Sequence, residues 1–255
     1  MALNITKTSI IIFDRQEQCD AILAELGDGN TAAIIEQKSA KYLGLIVDNK
    51  LKFSEHIDYV KSKVAKRIGA LHRSKKLLPL KFRKMFVNAL MLPQFDYLDI
   101  VWCKANKIKL DELDILYKKV AKIALDVGRR ESSVTVYKEM KWLPLHIRRQ
   151  LHLACYMFRI VNGLSPKNYM NKFSYISGGT RDGNNCNLYI NKSRSHKEFF
   201  YLGAKCWNLL PQSVRSAEYL KDFSEKYKKQ LLESVLQDSN YTVNNKFDIF
   251  YGITD

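Results

Sequence analysis

The sequence predicts a mainly α protein that begins with a small β element. Three observations lead there. From Ser54 onward, apolar residues recur every three or four positions through most of the chain, which is the period of a helix with one buried face. Before Leu51 the apolar runs are short, β-branched and without that rhythm, as strands are. The prolines Pro79, Pro93, Pro144, Pro166 and Pro211 fall where one helical rhythm stops or another begins. The chain divides into residues 1–50 with strands, 51–130 as a helical array, 131–237 as a second helical region, and 238–255 as a loose tail.

In order, "TKTSIIIF" (Thr6 to Phe13) reads as a strand. "QEQCDAILAELGDGN" holds one or two helical turns closed by Gly27 and Gly29, and "TAAIIEQ" is another strand. "YLGLIVD" reads as a short buried strand containing a glycine. Strands this few form the edge of a larger sheet, because a hairpin or triplet alone is marginal in water. Ser54 is the expected N-cap of a helix whose apolar stripe is Ile57, Val60, Val64, Ile68 and Leu71. Pro79 opens "PLKFRKMFVNALML", with Leu80, Met85, Phe86, Ala89 and Leu90 on one side and a stop before Pro93. "QFDYLDIVW" reads as one buried helix. "KLDELDILYKKVAKIAL" aligns Leu113, Leu116, Val120, Ile123 and Ala124. "SSVTVYKEMKWL" is a short helix, and Pro144 starts another that Gly163 caps. After a polar loop, "SGGTRDGNNCN", come a strand stub "LYIN", a buried helix ending at Pro211, and a surface helix "LKDFSEKYKKQLLESVL".

Charge restricts the partner. The chain of 255 residues carries 42 Lys+Arg against 26 Asp+Glu, a formal charge of +16. An excess of this size favours a polyanion, usually nucleic acid. The five cysteines include no Cys-x-x-Cys pair, which points to reduced thiols rather than a disulfide framework. The N-terminus lacks signal-peptide character, and no apolar run approaches the ~20 residues of a membrane span. The expected location is nucleus or cytoplasm, with no membrane partner.

Several motifs occur together. "LNITKTSIIIF" is followed by "KYLGLIVDNKLKFSEHI", "PQFDYLDIVW", "LDILYKKVAKIAL", "LPLHIRRQLHLACYMFRIVNGLSP" and "GAKCWNLLPQSVR". Over roughly residues 3–232 this order resembles the C-terminal part of the reverse transcriptase of jockey-like non-LTR retrotransposons. The resemblance implies that residues 1–50 are the end of a polymerase palm and the helices after them a thumb. It implies that Tyr42, Leu43 and Gly44 match the primer-grip turn, and that Lys7 matches the lysine that protonates the pyrophosphate leaving group. The parent enzyme would use magnesium, held by palm carboxylates that include an Asp-Asp turn. No two aspartates are adjacent in this sequence. The expectation is therefore a fragment without polymerase activity and without a cofactor. Asp96 and Asp99 in "FDYLD" have a suggestive spacing, but they fall on a helix and read as solvated or capping residues.

The candidate binding surface is Lys50, Lys52, Lys61, Lys63, Lys66, Arg67, Arg73, Lys75, Lys76, Lys81, Arg83 and Lys84, against which stand only Glu55 and Asp58. Cations opposite the Ile57–Leu71 stripe present a positive strip to a phosphate backbone. The same segment, "RSKKLLPLKFRK", is compatible with a nuclear import signal. Arg129, Arg130, Arg148 and Arg149 contact either phosphates or local carboxylates. His152 and Cys155 share a helix face, with His146 one and a half turns earlier, but no second Cys or His pair completes a zinc site. Trp102, Trp142 and Trp207 lie on apolar stretches and belong to the core. The expected partners are RNA or an RNA–DNA hybrid and, through the resemblance, a palm and fingers segment. Two other readings stay open: a protein-interaction module, and a metal-dependent nuclease, which the lack of clustered His and acidic residues disfavours.

Overall fold

A computed structural model describes residues 9–13, 35–103, 105–176, 187–190 and 199–237. Lys7, the turns expected over 16–30, the start of the strand at 31–37, the polar loop at 177–187 except its last residue, and the tail 238–255 lie outside them. The chain is mainly helical with small β elements near the N-terminus. β1 (Ser9–Ile10) and β2 (Ile35–Glu36) pair in parallel, and β3 (Ser39–Tyr42) and β4 (Leu45–Asp48) form an antiparallel hairpin in register Tyr42↔Leu45. Among the described residues, each sheet has two strands. "YLGLIVD" is therefore not one buried strand. Leu43 and Gly44 turn at φ 47° and 87°, the pair of positive angles that a tight hairpin requires. This splits the run, leaving Tyr42 and Leu43 about 70 % and 71 % exposed while Leu45 is buried.

Helix α1 (Ser54–Ser74) follows. Ser54 is not its cap: Phe53 holds the cap position with φ 54°, and no side chain bonds from there. The orphan N–H groups are met by Asp48 at the end of β4. Its carboxylate accepts from the backbone of Lys50 at 3.1 Å, Lys52 at 3.0 Å and Phe53 at 2.6 Å. One aspartate thus fixes the angle between hairpin and helix. The predicted stripe is buried, with Ile57, Val64 and Leu71 fully enclosed, each contributing about 2 kcal/mol.

α2 (Leu80–Phe86) runs through a wide π turn, Val87–Met91, into α3 (Leu92–Asp96). The helix does not stop before Pro93. Proline cannot donate to the helical ladder. The wide turn, in which the Leu92 N–H reaches back to the Val87 carbonyl, absorbs the change. It also alters which side chains face inward. Val87 and Met91 are buried, while Leu80, Met85 and Leu90 are exposed, so the expected apolar side is not the core side. "QFDYLDIVW" breaks after α3 at Tyr97–Leu98, where Leu98 has φ 52°, and α4 (Asp99–Trp102) follows.

α5 (Lys107–Leu125) packs antiparallel to α1 and buries Leu113, Tyr117, Val120 and Ala124. α6 (Ser133–Met140) lies against it. These elements enclose one core from Leu45 to Leu145, in which Tyr117 stacks on Trp142 at 4.8 Å and meets Phe95 edge-on at 5.2 Å. The second core runs from Leu143 to Val235. It is built by α7 (Leu145–Val161), α9 (Phe199–Asn208), α10 (Gln212–Arg215) and α11 (Leu220–Gln237), with α8 (Lys167–Met170) at its edge. Gly163, at φ 70° after α7, takes the expected capping role. Leu188 bridges to Tyr175 as the expected strand stub, and α11 buries Phe223, Tyr227, Leu231 and Val235. All three tryptophans are buried. Among the described residues no helix is long and apolar enough to cross a membrane.

Candidate nucleic-acid interface

The hairpin and α1 meet at Tyr59. The Lys41 ammonium, from β3, donates to the Tyr59 hydroxyl at 3.1 Å. The Lys63 ammonium lies 4.5 Å from the centre of the same ring. Hydrogen bonding from Lys63, then from Lys41, draws the Tyr59 phenol down to about 8. Neither lysine reaches a carboxylate among the described residues. Glu55, the nearest acidic residue in sequence, takes its hydrogen bond from Ser39 at 2.6 Å. Two positive charges therefore share one neutral oxygen.

The hairpin turn is held from below. The Tyr97 hydroxyl donates to the Leu43 carbonyl, and a Cβ on Gly44 would stand 3.3 Å from the Tyr97 ring. The glycine thus serves the turn and the close approach of Tyr97. Tyr42 and Leu43 project from the tip into solvent.

The rest of the basic segment divides in two. Lys50, Lys52, Lys66, Arg73, Lys76 and Lys81 are exposed, and their side chains make no hydrogen bond or ion pair among the described residues. The others have structural partners. Lys61 meets Glu112 at 2.5 Å and Asp58 at 3.5 Å. Arg67 donates to the Leu90 carbonyl at 2.6 Å. Lys75 meets Asp126 at 2.6 Å, with Arg83 3.8 Å from the same carboxylate. Lys84 donates to the Glu139 carbonyl at 2.7 Å. Steps of four, three and seven residues place Tyr59, Lys63, Lys66 and Arg73 on one face of α1, opposite Ile57, Val64 and Leu71. From Tyr59 to Arg73 that face extends about 21 Å at 1.5 Å per residue.

Asp96 and Asp99 are not solvated. The Arg148 guanidinium forks onto Asp96 at 2.5 and 2.6 Å, and Asp99, only 2 % exposed, meets His152 Nδ1 at 2.6 Å. Burial pushes the Asp99 carboxyl up, and the His152 hydrogen bond opposes it. Arg149 is buried over Trp102 at 5.0 Å. The arginine pair at 148–149 thus belongs to the fold rather than to a phosphate. One ligand atom each from Asp96, Asp99 and His152 lies within 4.8 Å of the others. Both Asp96 oxygens already accept from Arg148, and the neighbouring guanidinium charges oppose a second cation, so the set suits an ion-pair seam better than a metal. His152 and Cys155 also line a wide apolar cleft of about 810 Å³. Burial raises the Cys155 thiol, which leaves it a poor nucleophile or ligand.

Sequence reasoning missed Lys41, His56, Tyr59 and Tyr97. Only the aromatic between lysines in "EHIDYVKSK" could have drawn notice. Comparison with family models, with curated proteins and with solved structures finds no match to this chain.

Proposed function

We propose that the chain is a thumb-like piece of a retrotransposon reverse transcriptase, without catalytic activity, that binds RNA or an RNA–DNA hybrid through its backbone. The observation that carries this reading is the unmatched cation strip. Lys41 and Lys63 converge on Tyr59, and Lys66, Arg73 and Lys76 continue from there without carboxylate partners. A strip of about 21 Å spans roughly six base-pair steps at 3.4 Å per step along one strand. Its side chains are long, mobile cations suited to phosphates, and they carry no base information. Association with palm and fingers segments belongs to the same reading.

The test is the salt dependence of binding. Replacing Lys66, Arg73 and Lys76 by glutamine should flatten the slope of log K against log salt by roughly one unit per real contact. Helical circular dichroism should be unchanged, since Gln and Lys have similar helix propensity. The loss should be equal across sequences. An unchanged slope in the triple variant would refute the proposal.

The exposed Leu77, Leu80, Phe82 and Met85 favour a second reading, a protein-docking surface on α2. Binding there would be nearly insensitive to salt.

A further inference from the structure

A pocket of about 260 Å³ lies between the hairpin, α1 and α3, and its wall contains no carboxylate. It does contain hydrogen-bond donors from three elements. Lys41 comes from the hairpin, His56, Tyr59 and Lys63 come from α1, and Gln94 comes from α3. Tyr97, tied to the Leu43 carbonyl, closes the hairpin side.

His56 is the informative member. Its ring is 2 % exposed. The Ile46 backbone N–H donates to its Nδ1 at 3.3 Å, so the neutral ring carries its hydrogen on Nε2. That Nε2–H has no partner. A buried donor left unmade costs about 1–3 kcal/mol. Burial, with Lys63 nearby, holds the ring's pKa down to about 4, so at neutral pH the ring is an uncharged donor.

The pocket wall thus combines an unused donor with two ammonium groups that share one phenol oxygen. A metal cation is repelled there. A carboxylate offers one charge and two coplanar oxygens. A terminal phosphate offers up to two negative charges and three oxygens arranged about an axis, which matches two lysines and donors from three sides. A phosphodiester has one charge and two free oxygens, and needs two exits.

We infer that this pocket is a seat for a phosphate monoester, supplied by the 5′-phosphorylated end of a nucleic-acid strand. The site's chemistry stands on the residues above; only the strand as the phosphate's source rests on the nucleic-acid reading.

Two measurements on the full chain test it. In the first, inorganic phosphate is titrated at constant ionic strength. The expected result is a shift of the His56 ring signals, with its titration rising from about 4. The Tyr59 phenol should move up from about 8 as the anion offsets the lysines. Lys41→Gln should abolish both responses, and Lys66→Gln, outside the pocket, should preserve them. In the second, two oligonucleotides of one sequence are compared, one ending in a 5′-phosphate and one in a 5′-hydroxyl. The phosphorylated strand should bind about tenfold tighter, the equivalent of one charge-assisted hydrogen bond. That ratio should vanish in Lys41→Gln. The Lys66, Arg73, Lys76 triple glutamine variant should weaken both strands and keep the ratio.

A phosphate response with equal affinity for both strands keeps the seat and assigns it to free phosphate or a mononucleotide. A phosphate response with no oligonucleotide binding keeps the seat and refutes the nucleic-acid function. No response to phosphate, together with equal affinity for the two ends, overturns the inference.

Discussion

Two regions of this molecule use charge in opposite ways. At the seam between α3–α4 and α7, carboxylates meet cations in near-complete burial: Asp96 takes the fork of Arg148, and Asp99 takes His152 beside Arg149. At the junction of hairpin and α1, cations gather without carboxylates and face solvent. The matched charges hold elements together. The unmatched ones repel each other and weaken the fold slightly, so they have value only if something else neutralises them. Composition alone does not separate the two, because Arg148 and Lys63 count equally toward the +16. Burial and the location of the nearest carboxylate do.

Breaking the seam should have the largest effect. Asp99→Ala leaves His152 and Arg149 without their carboxylate in a closed site, and should cost about 3–5 kcal/mol, read as a lower urea midpoint. Oligonucleotide selectivity at saturating folded protein should not change.

Acid should come next. His56 is held to about 4 and His146 to about 3, both chiefly by burial. Their unfolded forms titrate near 6.5. The folded state therefore binds fewer protons between those values, and stability is full above about pH 6.5 and falls as pH drops toward 4. For His56 the loss amounts to roughly 3 kcal/mol, at 1.36 kcal/mol per pH unit of displacement. Asp99, whose carboxyl burial pushes up, acts in the opposite sense, favouring the fold where it is protonated. Urea midpoints at several pH values, with histidine ring signals followed in parallel, check the sign.

Gly44→Ala should cost about 1–2 kcal/mol, since a side chain is strained at φ 87° and crowds Tyr97. The smallest change should follow Glu112→Gln. Lys61 and Glu112 are both about one-third exposed, so the pair is worth less than about 1 kcal/mol. Freeing Lys61 should leave stability nearly unchanged and, if anything, strengthen backbone binding.

Much of the helical framework was legible because its signal is local. Ile57 to Leu71 on α1 and Leu113 to Ala124 on α5 announce their faces by spacing alone. The Leu43–Gly44 turn was recognisable, although the burial of the run around it was not, because a hairpin and a single strand differ only in the backbone angles of two residues. The π turn left no periodic trace: it alters which side chains face inward, so Val87 and Met91 replace Leu80 and Leu90 in the core. Asp96 and Asp99 looked solvated because their partners lie more than fifty residues away on α7. The pocket was hidden for the same reason. His56, Lys41 and Gln94 sit on three elements, and only Asp48, gripping the backbone at Phe53, brings the first two within reach of each other.

The wide turn at Val87–Met91 also makes this stretch intolerant of a change in chain length. Deleting one residue there would let the backbone close into an ordinary α-helix and would swing everything after it by about 100° about the axis. Asp96 would then point away from Arg148, Tyr97 from the underside of the hairpin, and Gln94 from the pocket. A single codon lost from that turn would disable the seam and the anion seat together, although no residue that forms either would have been changed.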